Sequence, residues 1–294
     1  MAEGIAYALA PRGRPAKKCD VITISHGGLP AASWAHAVNL VYEAGIVVAA
    51  ASGDNIIFPL GPFPSPDTIW PSRFNRVITV VGATYNKTPY VTNILWEIEE
   101  SWGPDKKVMK KAIAGYTPNV GWMNFRTRHQ YDMNGFGTSS STPQVAAACS
   151  LWLELHGAEY PADWRRVEAC RRALFLSAHP AFPEDQPDRY LGRGILNVPA
   201  MLDSKLAKKI QKDIRDSKQP VDKIDSVVGR KLLSMGTPTT EQERMYVVEM
   251  AQIVARLKNR GLFQDRDGPR RLQQLIGDEP EDVSVALREK LAAL

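Results

Sequence analysis

The 294-residue sequence has few cysteines, no long apolar run and no leader-like N-terminus. Its three cysteines (Cys19, Cys149 and Cys170) lie far apart and outside any CxxC pattern, which argues against a disulfide framework or a zinc site. The longest apolar run, at residues 46–51, is far shorter than the roughly 20 residues of a membrane helix. With neither a secretion signal nor a membrane segment, a cytoplasmic location is the default expectation.

A strong excess of charge of one sign is also missing. Lys and Arg outnumber Asp and Glu by 37 to 32, and residues 205–294 hold 18 of these bases and 14 of these acids. The two signs are mixed there, and Tyr246 and Phe263 are the only aromatic residues of that segment. A nucleic-acid or anionic-membrane surface would show clustered bases with interleaved aromatic residues, so neither partner is predicted.

The first 200 residues alternate between apolar runs and helical patterns. Strands are predicted at residues 20–25, 46–51, 76–82 and, more weakly, 108–114. Helices are predicted at residues 33–44, 143–156 and 163–177, with Pro143 in the first turn of its helix. Well-separated strands that are apolar on both faces indicate an α/β fold, in which flanking helices cover a parallel β-sheet.

The composition changes to charged helical segments near residue 205. Four helices are predicted there, at residues 206–215, 221–233, 241–259 and 283–293. The sequence therefore predicts two domains, an α/β domain at residues 1–204 and a charged helical extension at residues 205–294.

The segment with the most chemical information is residues 134–148, in which a glycine-flanked serine precedes a helix. The first turn of a helix offers unpaired N–H groups and the positive end of the helix dipole. Ser139 is therefore well placed to act as a nucleophile beside donors for an oxyanion. The alternative is that Ser139, Ser140 and Ser141 only cap the helix, which serine does well.

A polar turn, Ser52-Gly53-Asp54-Asn55, follows the predicted strand at residues 46–51. The Asn55 amide could donate a hydrogen bond to an oxyanion, whereas Asp54 could do so only when protonated. A plain tight turn is the alternative interpretation.

The strand at residues 20–25 leads into a second polar segment, Ser25-His26-Gly27-Gly28. Its small residues could pair with an extended peptide in the manner of a β-strand. A catalytic role for His26 is disfavoured, because a lone histidine at a strand end usually packs or hydrogen-bonds within the fold.

In this order, the segments resemble those of the subtilases, the subtilisin-like serine peptidases. The resemblance covers residues 2–203 and is carried by residues 19–28, 45–54, 70–83, 101–119, 137–143 and 192–197. Residues 137–143, Gly-Thr-Ser-x-x-x-Pro, are similar to the nucleophile motif of that family. The resemblance implies that Ser139 is the nucleophile and that its backbone N–H is one oxyanion donor.

The resemblance also implies a substrate site. It places one wall at Ser25, His26, Gly27 and Gly28, and a second wall at Ala50, Ala51, Ser52 and Gly53. The oxyanion position, which is usually Asn in this family, falls on Asp54, or on Asn55 after a one-residue slip. The implied substrate is a polypeptide, no organic cofactor is implied, and calcium is the one metal ion that the family resemblance suggests.

Two members of the family's Asp, His, Ser triad have no counterpart here. The resemblance begins past both motifs, and none of the five histidines, His26, His36, His129, His156 and His179, has the His-Gly-Thr context. A serine without a base is a poor nucleophile at neutral pH, so we expect the chain alone to be inactive. Residues 21–25 should form an exposed apolar sheet edge, which, with the helical tail, is a candidate surface for association.

Three functions are compatible with these residues. The first is a serine endopeptidase by descent, acting through Ser139. The second is a non-catalytic descendant that binds peptides or proteins. The third is a sedolisin-like serine-carboxyl peptidase, suggested by Ser52-Gly53-Asp54. An α/β-hydrolase is disfavoured, because Ser141 stands where its nucleophile elbow requires glycine.

Overall fold

The structure is a computed structural model that describes residues 1–14, 18–28, 31–55, 57–58, 61–62, 68–90, 99–100, 106–124, 130–211, 214, 217–222 and 285. The α-helices are α1 (Ala2–Tyr7), α2 (Ala32–Glu43), α3 (Lys106–Met109), α4 (Thr138–His156), α5 (Trp164–Ser177), α6 (Val198–Met201) and α7 (Ser204–Gln211). The strands are β1 (Val21–Ile24), β2 (Val47–Ala51), β3 (Asp54–Asn55), β4 (Ile57–Phe58), β5 (Gly61–Pro62), β6 (Ile78–Ala83), β7 (Glu99–Glu100), β8 (Ala112–Tyr116), β9 (Val120–Met123) and β10 (Tyr131–Gly135).

A four-stranded parallel sheet in the order β1-β2-β6-β8 forms the centre of the fold. All residues of β2 and β6 are buried, as expected for strands covered on both faces. The predicted α/β class is therefore confirmed. The fourth predicted strand starts at Ala112, later than expected. Val108 and Met109, which were expected in this strand, are instead buried residues of α3.

Helices cover the two faces of this sheet. On one face, Val145, Cys149 and Trp152 of α4 pack with α5 against β2, β6 and β8. On the other face, residues of α1 and α2 pack against β1 and β2. The prediction that Pro143 lies in the first turn is wrong, because α4 already begins at Thr138 and Pro143 is inside the helix.

Strand β1 lies at one edge of the sheet and pairs with β2 only, within the described part of the chain. Val21 and Ile22 are half-buried and Ile24 is buried, whereas the exposed residues of this edge, Thr23 and Ser25, are polar, so the edge is less apolar at its surface than predicted. Association through the edge stays a prediction.

Several of the described residues between 205 and 222 pack on the α/β body. Ile210 and Ile214 belong to the same hydrophobic cluster as α4 and α5. The Asp222 carboxylate accepts hydrogen bonds from the backbone N–H of Asn75 at 2.7 Å and of Arg76 at 3.0 Å. The domain boundary near residue 205 stays a prediction. The last three predicted helices lie outside the described residues, except for residues 221, 222 and 285.

Candidate active site

Ser139 is the second residue of α4, and its side chain is exposed. The preceding Gly137 has a φ of +74°, a left-handed conformation that favours glycine and turns the chain sharply into the helix. In the described part of the chain, the Ser139 N–H has no hydrogen-bond acceptor. An exposed hydroxyl therefore stands beside a free backbone donor, the pair of groups that acyl transfer requires.

The neighbouring serines do not cap the helix as the alternative interpretation expected. The Ser140 hydroxyl donates to the Phe136 carbonyl at 2.9 Å, and the buried Ser141 hydroxyl donates to the Gly115 carbonyl at 3.2 Å. The N-cap residue is Gly137, which has no side chain with which to cap.

Asp54, the first residue of β3, takes over that capping role. Its Oδ1 accepts the Thr138 N–H at 2.7 Å, while the Gly53 N–H donates to the Thr138 hydroxyl at 3.2 Å. Burial raises the pKa of Asp54 because it desolvates the carboxylate, and the hydrogen bond from Thr138 lowers it in part. The structure thus brings Asp54 beside the first turn of α4, where an ionised carboxylate accepts hydrogen bonds and donates none. The side chain of Asn55, the alternative, lies outside the described residues.

Two contacts join Ser25 to Ser139. The Ser25 hydroxyl donates to the Ser139 carbonyl oxygen at 2.8 Å, and the Ser139 hydroxyl lies 3.4 Å from the Ser25 carbonyl oxygen. Within a regular helix the Ser139 carbonyl would accept the N–H of residue 143, but Pro143 has none. Ser25 therefore satisfies a carbonyl that the proline leaves without a partner.

The predicted first wall of the substrate site lies at the surface. Ser25 and His26 are exposed, and Gly27 and Gly28 are half-buried. Gly28 already exchanges two backbone hydrogen bonds with Trp70, at 2.9 and 3.1 Å. The backbone groups left for an extended peptide are therefore those nearer to Ser25.

The predicted second wall is buried. Ala50, Ala51, Ser52 and Gly53 all lie inside the fold. The Ser52 backbone is tied on both sides, since its N–H donates to Val80 and its carbonyl accepts from Ile69, each at 2.8 Å. These residues support the site from beneath.

No histidine ring of the described residues lies within hydrogen-bonding distance of the Ser139 hydroxyl. His156 sits at the opposite end of α4 and pairs with Glu159 at 3.0 Å. His129 is outside the described residues. The described part of the chain therefore places an exposed hydroxyl and a backbone N–H without an acceptor at Ser139, and it brings no histidine to that hydroxyl.

Clusters of metal-binding side chains are the feature of the described residues that relates to the expected calcium site. The described residues contain no group of three or more His, Cys, Asp or Glu side chains arranged to hold an ion. Calcium binding stays a prediction. Likewise, none of the described helices is both long and apolar enough to cross a bilayer.

Two contacts of the candidate site were not predicted from the sequence, those of Thr138 with Asp54 and of Trp70 with Gly28. The contact between Ser25 and Ser139 was also missed, although Pro143 was a local signal for it, since a proline four residues after Ser139 leaves the Ser139 carbonyl without its helical donor. The contacts of Thr138 with Asp54 and of Trp70 with Gly28 span 84 and 42 positions of sequence, so no local sequence pattern predicts them.

Comparison with protein families matches residues 1–194 to the model described as the subtilase family. Among solved structures, the prenylagaramide maturation protease PagA is 20% identical with a TM-score of 0.50, and the match covers 68% of this chain and 65% of PagA. The patellamide maturation protease PatA is 21% identical with a TM-score of 0.53, and the match covers 71% of this chain and 68% of PatA. The PatG macrocyclase in complex with peptide is 20% identical with a TM-score of 0.52, and the match covers 70% of this chain and 55% of PatG. The chain thus spans slightly less than two thirds of PagA. No curated protein sequence matches it.

Proposed function

This chain belongs to the subtilase family, and on that premise we propose that it is the nucleophile-bearing part of a serine peptidase that cleaves polypeptides through Ser139. One observation carries the proposal. The Ser139 hydroxyl is exposed in the first turn of α4, and the N–H of the same residue has no acceptor in the described part of the chain.

The proposed reaction is acyl transfer. The Ser139 oxygen attacks the carbonyl carbon of the scissile bond and gives its proton to a base, and the Ser139 N–H stabilises the oxygen that becomes negative. The amine leaves with that proton, and water then hydrolyses the acyl-enzyme. The base and the group that orients it come from polypeptide outside the described residues. The isolated 294 residues should therefore react very slowly.

Asp54 acts in this proposal as a positioning residue. By accepting the Thr138 N–H at 2.7 Å, it holds the turn from which the Ser139 N–H projects. When protonated, its carboxyl could also donate to the oxyanion, as the sedolisin-like alternative requires. The raised pKa of Asp54 favours that alternative at acidic pH. An acidic activity optimum would distinguish the sedolisin-like mechanism from the base-assisted serine mechanism.

Rescue by a small external base tests the proposal. Imidazole supplied in solution should accelerate covalent labelling of Ser139 by a fluorophosphonate, because the hydroxyl is accessible and has no base beside it in the described part of the chain. Ser139→Ala should abolish the imidazole-dependent label. The matched control, Ser140→Ala, removes a neighbouring hydroxyl that is already bonded to Phe136 and should keep the label. Labelled peptides are mapped by mass spectrometry.

A non-catalytic, peptide-binding descendant is the second candidate. It is favoured by the lack of a base near Ser139 among the described residues. It predicts that imidazole leaves Ser139 unlabelled while a peptide still binds near the exposed Ser25 and His26. The same labelling experiment therefore separates the two candidates, and an unlabelled Ser139 would overturn the first.

A further inference from the structure

A cavity of about 530 Å³ lies at the carboxyl-terminal edge of the main sheet, beside β8. Its lining includes Tyr116, the last residue of β8, and Gln144 of α4. The Gln144 amide donates to the Tyr116 carbonyl at 2.7 Å and to the Ser140 carbonyl at 3.0 Å, so the cavity borders the first turns of α4. Ser139 is not part of the lining, and the cavity volume falls within the range of small-molecule sites.

Four polar side chains of this lining keep hydrogen-bonding capacity for a ligand. Within the described part of the chain, the Lys87 ammonium, the Tyr116 hydroxyl and the His179 ring make no hydrogen bond or ion pair. The Asn197 amide oxygen accepts the Ala200 N–H at 3.3 Å, which leaves the Asn197 NH2 group without an acceptor there. Four separate segments of the chain thus bring hydrogen-bond donors to one cavity.

The charge of the cavity is small and positive. Lys87 is the one Lys or Arg of its described lining, and no Asp or Glu stands among the lining residues to pair with it. One positive charge with several neutral donors suits an anion of one negative charge better than a phosphate group with nearly two.

Lys87 is held at the cavity by a tight turn. Its N–H donates to the Thr84 carbonyl at 2.9 Å, and the Thr84 N–H donates to the Thr88 carbonyl at 2.8 Å. Within this turn Lys87 has a φ of +64°, a left-handed conformation that is uncommon for residues other than glycine. The fold therefore keeps a lysine where glycine would be less strained, as is typical of residues at functional sites.

One side of the same cavity is apolar. It is formed by Leu196, which is buried, Val198, which is half-buried, and Pro199, which is exposed. These side chains suit a small aliphatic group attached to the anion. A simple inorganic anion would leave them without a partner.

We propose that this cavity binds a carboxylate that carries a small aliphatic group. A carboxylate only accepts hydrogen bonds, so it matches the Lys87 ammonium and the Asn197 NH2 group, which only donate. This chemistry has two natural sources, the C-terminal residue of a polypeptide and a free carboxylic acid. Acetyl-leucine carries the shared group and serves as the first probe.

Ligand-observed NMR titrations of the full chain at about 0.15 M ionic strength test this proposal. Acetyl-leucine should bind saturably, and acetyl-leucinamide, which lacks the carboxylate, should bind at least about fivefold more weakly. The peptide acetyl-Ala-Ala-Leu carries the same terminal carboxylate. Tighter binding of this peptide supports the site with a polypeptide C-terminus as its ligand, and equal binding supports it with a free acid as its ligand.

Two variants locate the binding. Lys87→Gln removes the charge at an exposed position and should weaken acetyl-leucine binding about fivefold. Asn197→Asp keeps the oxygen that accepts the Ala200 N–H but replaces the donor group with a negative charge, so it should weaken binding about tenfold or more. The control, Lys208→Gln, removes an exposed lysine of α7 that does not line the cavity and should bind as the unmodified chain does.

Three results would overturn the proposal: no saturable binding of acetyl-leucine, equal affinities for acetyl-leucine and its amide, or unchanged affinity in both Lys87→Gln and Asn197→Asp. Thermal unfolding of each variant shows that it is folded before its affinity is compared. None of these measurements requires hydrolysis or the Ser139 hydroxyl, so their outcome is separate from that of the proposed peptidase function.

Discussion

The Ser25 hydroxyl donates a hydrogen bond to the Ser139 carbonyl oxygen at 2.8 Å, across 114 positions of sequence. This oxygen is free because Pro143, four residues further along α4, has no N–H. Because of this proline, a carbonyl in the first turn of α4 can accept a hydrogen bond from Ser25, the residue that follows β1. The two halves of the candidate site are held together at the residue proposed to react.

This relationship predicts an energetic coupling between Ser25 and Pro143. Ser25→Ala should lower the free energy of unfolding by about 1 kcal/mol, since the Ser139 carbonyl loses its donor. In the Pro143→Ala background, the new N–H of residue 143 can donate to the Ser139 carbonyl. Ser25→Ala should therefore lower the free energy of unfolding much less in that background. Urea unfolding of the four proteins of this double-mutant cycle measures the coupling.

Ser150 offers a matched control. Its hydroxyl donates at 3.1 Å to the Ala146 carbonyl, which the helix already satisfies through the Ser150 N–H. Ser150→Ala should therefore leave stability unchanged or slightly higher. Equal losses for Ser25→Ala with and without Pro143 would show that the proline does not create the need for Ser25.

Asp54 should make stability depend on pH. Its pKa is raised by burial, so the stability it contributes is fully present below the pKa of an unfolded Asp, about 3.9, and is lost as the pH rises through its higher folded pKa. Asp54→Asn removes the charge but keeps an oxygen for the Thr138 N–H. The stability of this variant relative to the unmodified chain should increase between about pH 4 and about pH 7.

Urea unfolding across that range measures the difference. Asp54→Ala is the control, because it removes the charge and the acceptor together. It should be less stable than Asp54→Asn by about 1 kcal/mol. A pH-independent difference between Asp54→Asn and the unmodified chain would contradict the burial of an ionisable Asp54.

Gly137 should tolerate no side chain. A Cβ there would come within 2.5 Å of Asp54 Oδ2, and the φ of +74° is strained for other residues. We expect Gly137→Ala to cost about 1–3 kcal/mol. Gly4→Ala, in the exposed part of α1 with open space around it, should instead raise stability by roughly 0.5–1 kcal/mol. Thermal unfolding of both variants checks the contrast, and similar effects would count against this turn geometry.

The sequence predicted the parts of the fold that depend on local patterns. Strands β1, β2 and β6 follow from their apolar runs, and the place of Ser139 at the start of a helix follows from its glycine and the helical pattern behind it. The start of α4 was misplaced, because proline usually marks a first turn, whereas here Ser25 compensates for a proline in the helix interior. The capping by Asp54 was missed because it joins residues 84 positions apart.

The segment after residue 204 should be part of the same folding unit up to at least Ile214. Ile210 is fully buried in the cluster that includes α4 and α5. Ile210→Ala should therefore cost about 2–5 kcal/mol of unfolding free energy. Lys208→Ala, on the exposed side of α7, should change it by about 0.5 kcal/mol or less. A similarly small effect at both positions in urea unfolding would place Ile210 outside the cooperative core.

The central proposal is that Ser139 is accessible and correctly placed but receives no base from this chain. The most direct measurement is the stoichiometry of fluorophosphonate labelling of the 294-residue chain at neutral pH without added imidazole. We predict no label on Ser139 above that of the Ser139→Ala variant. Stoichiometric labelling of Ser139 would contradict the claim, because it would require a proton acceptor within this chain.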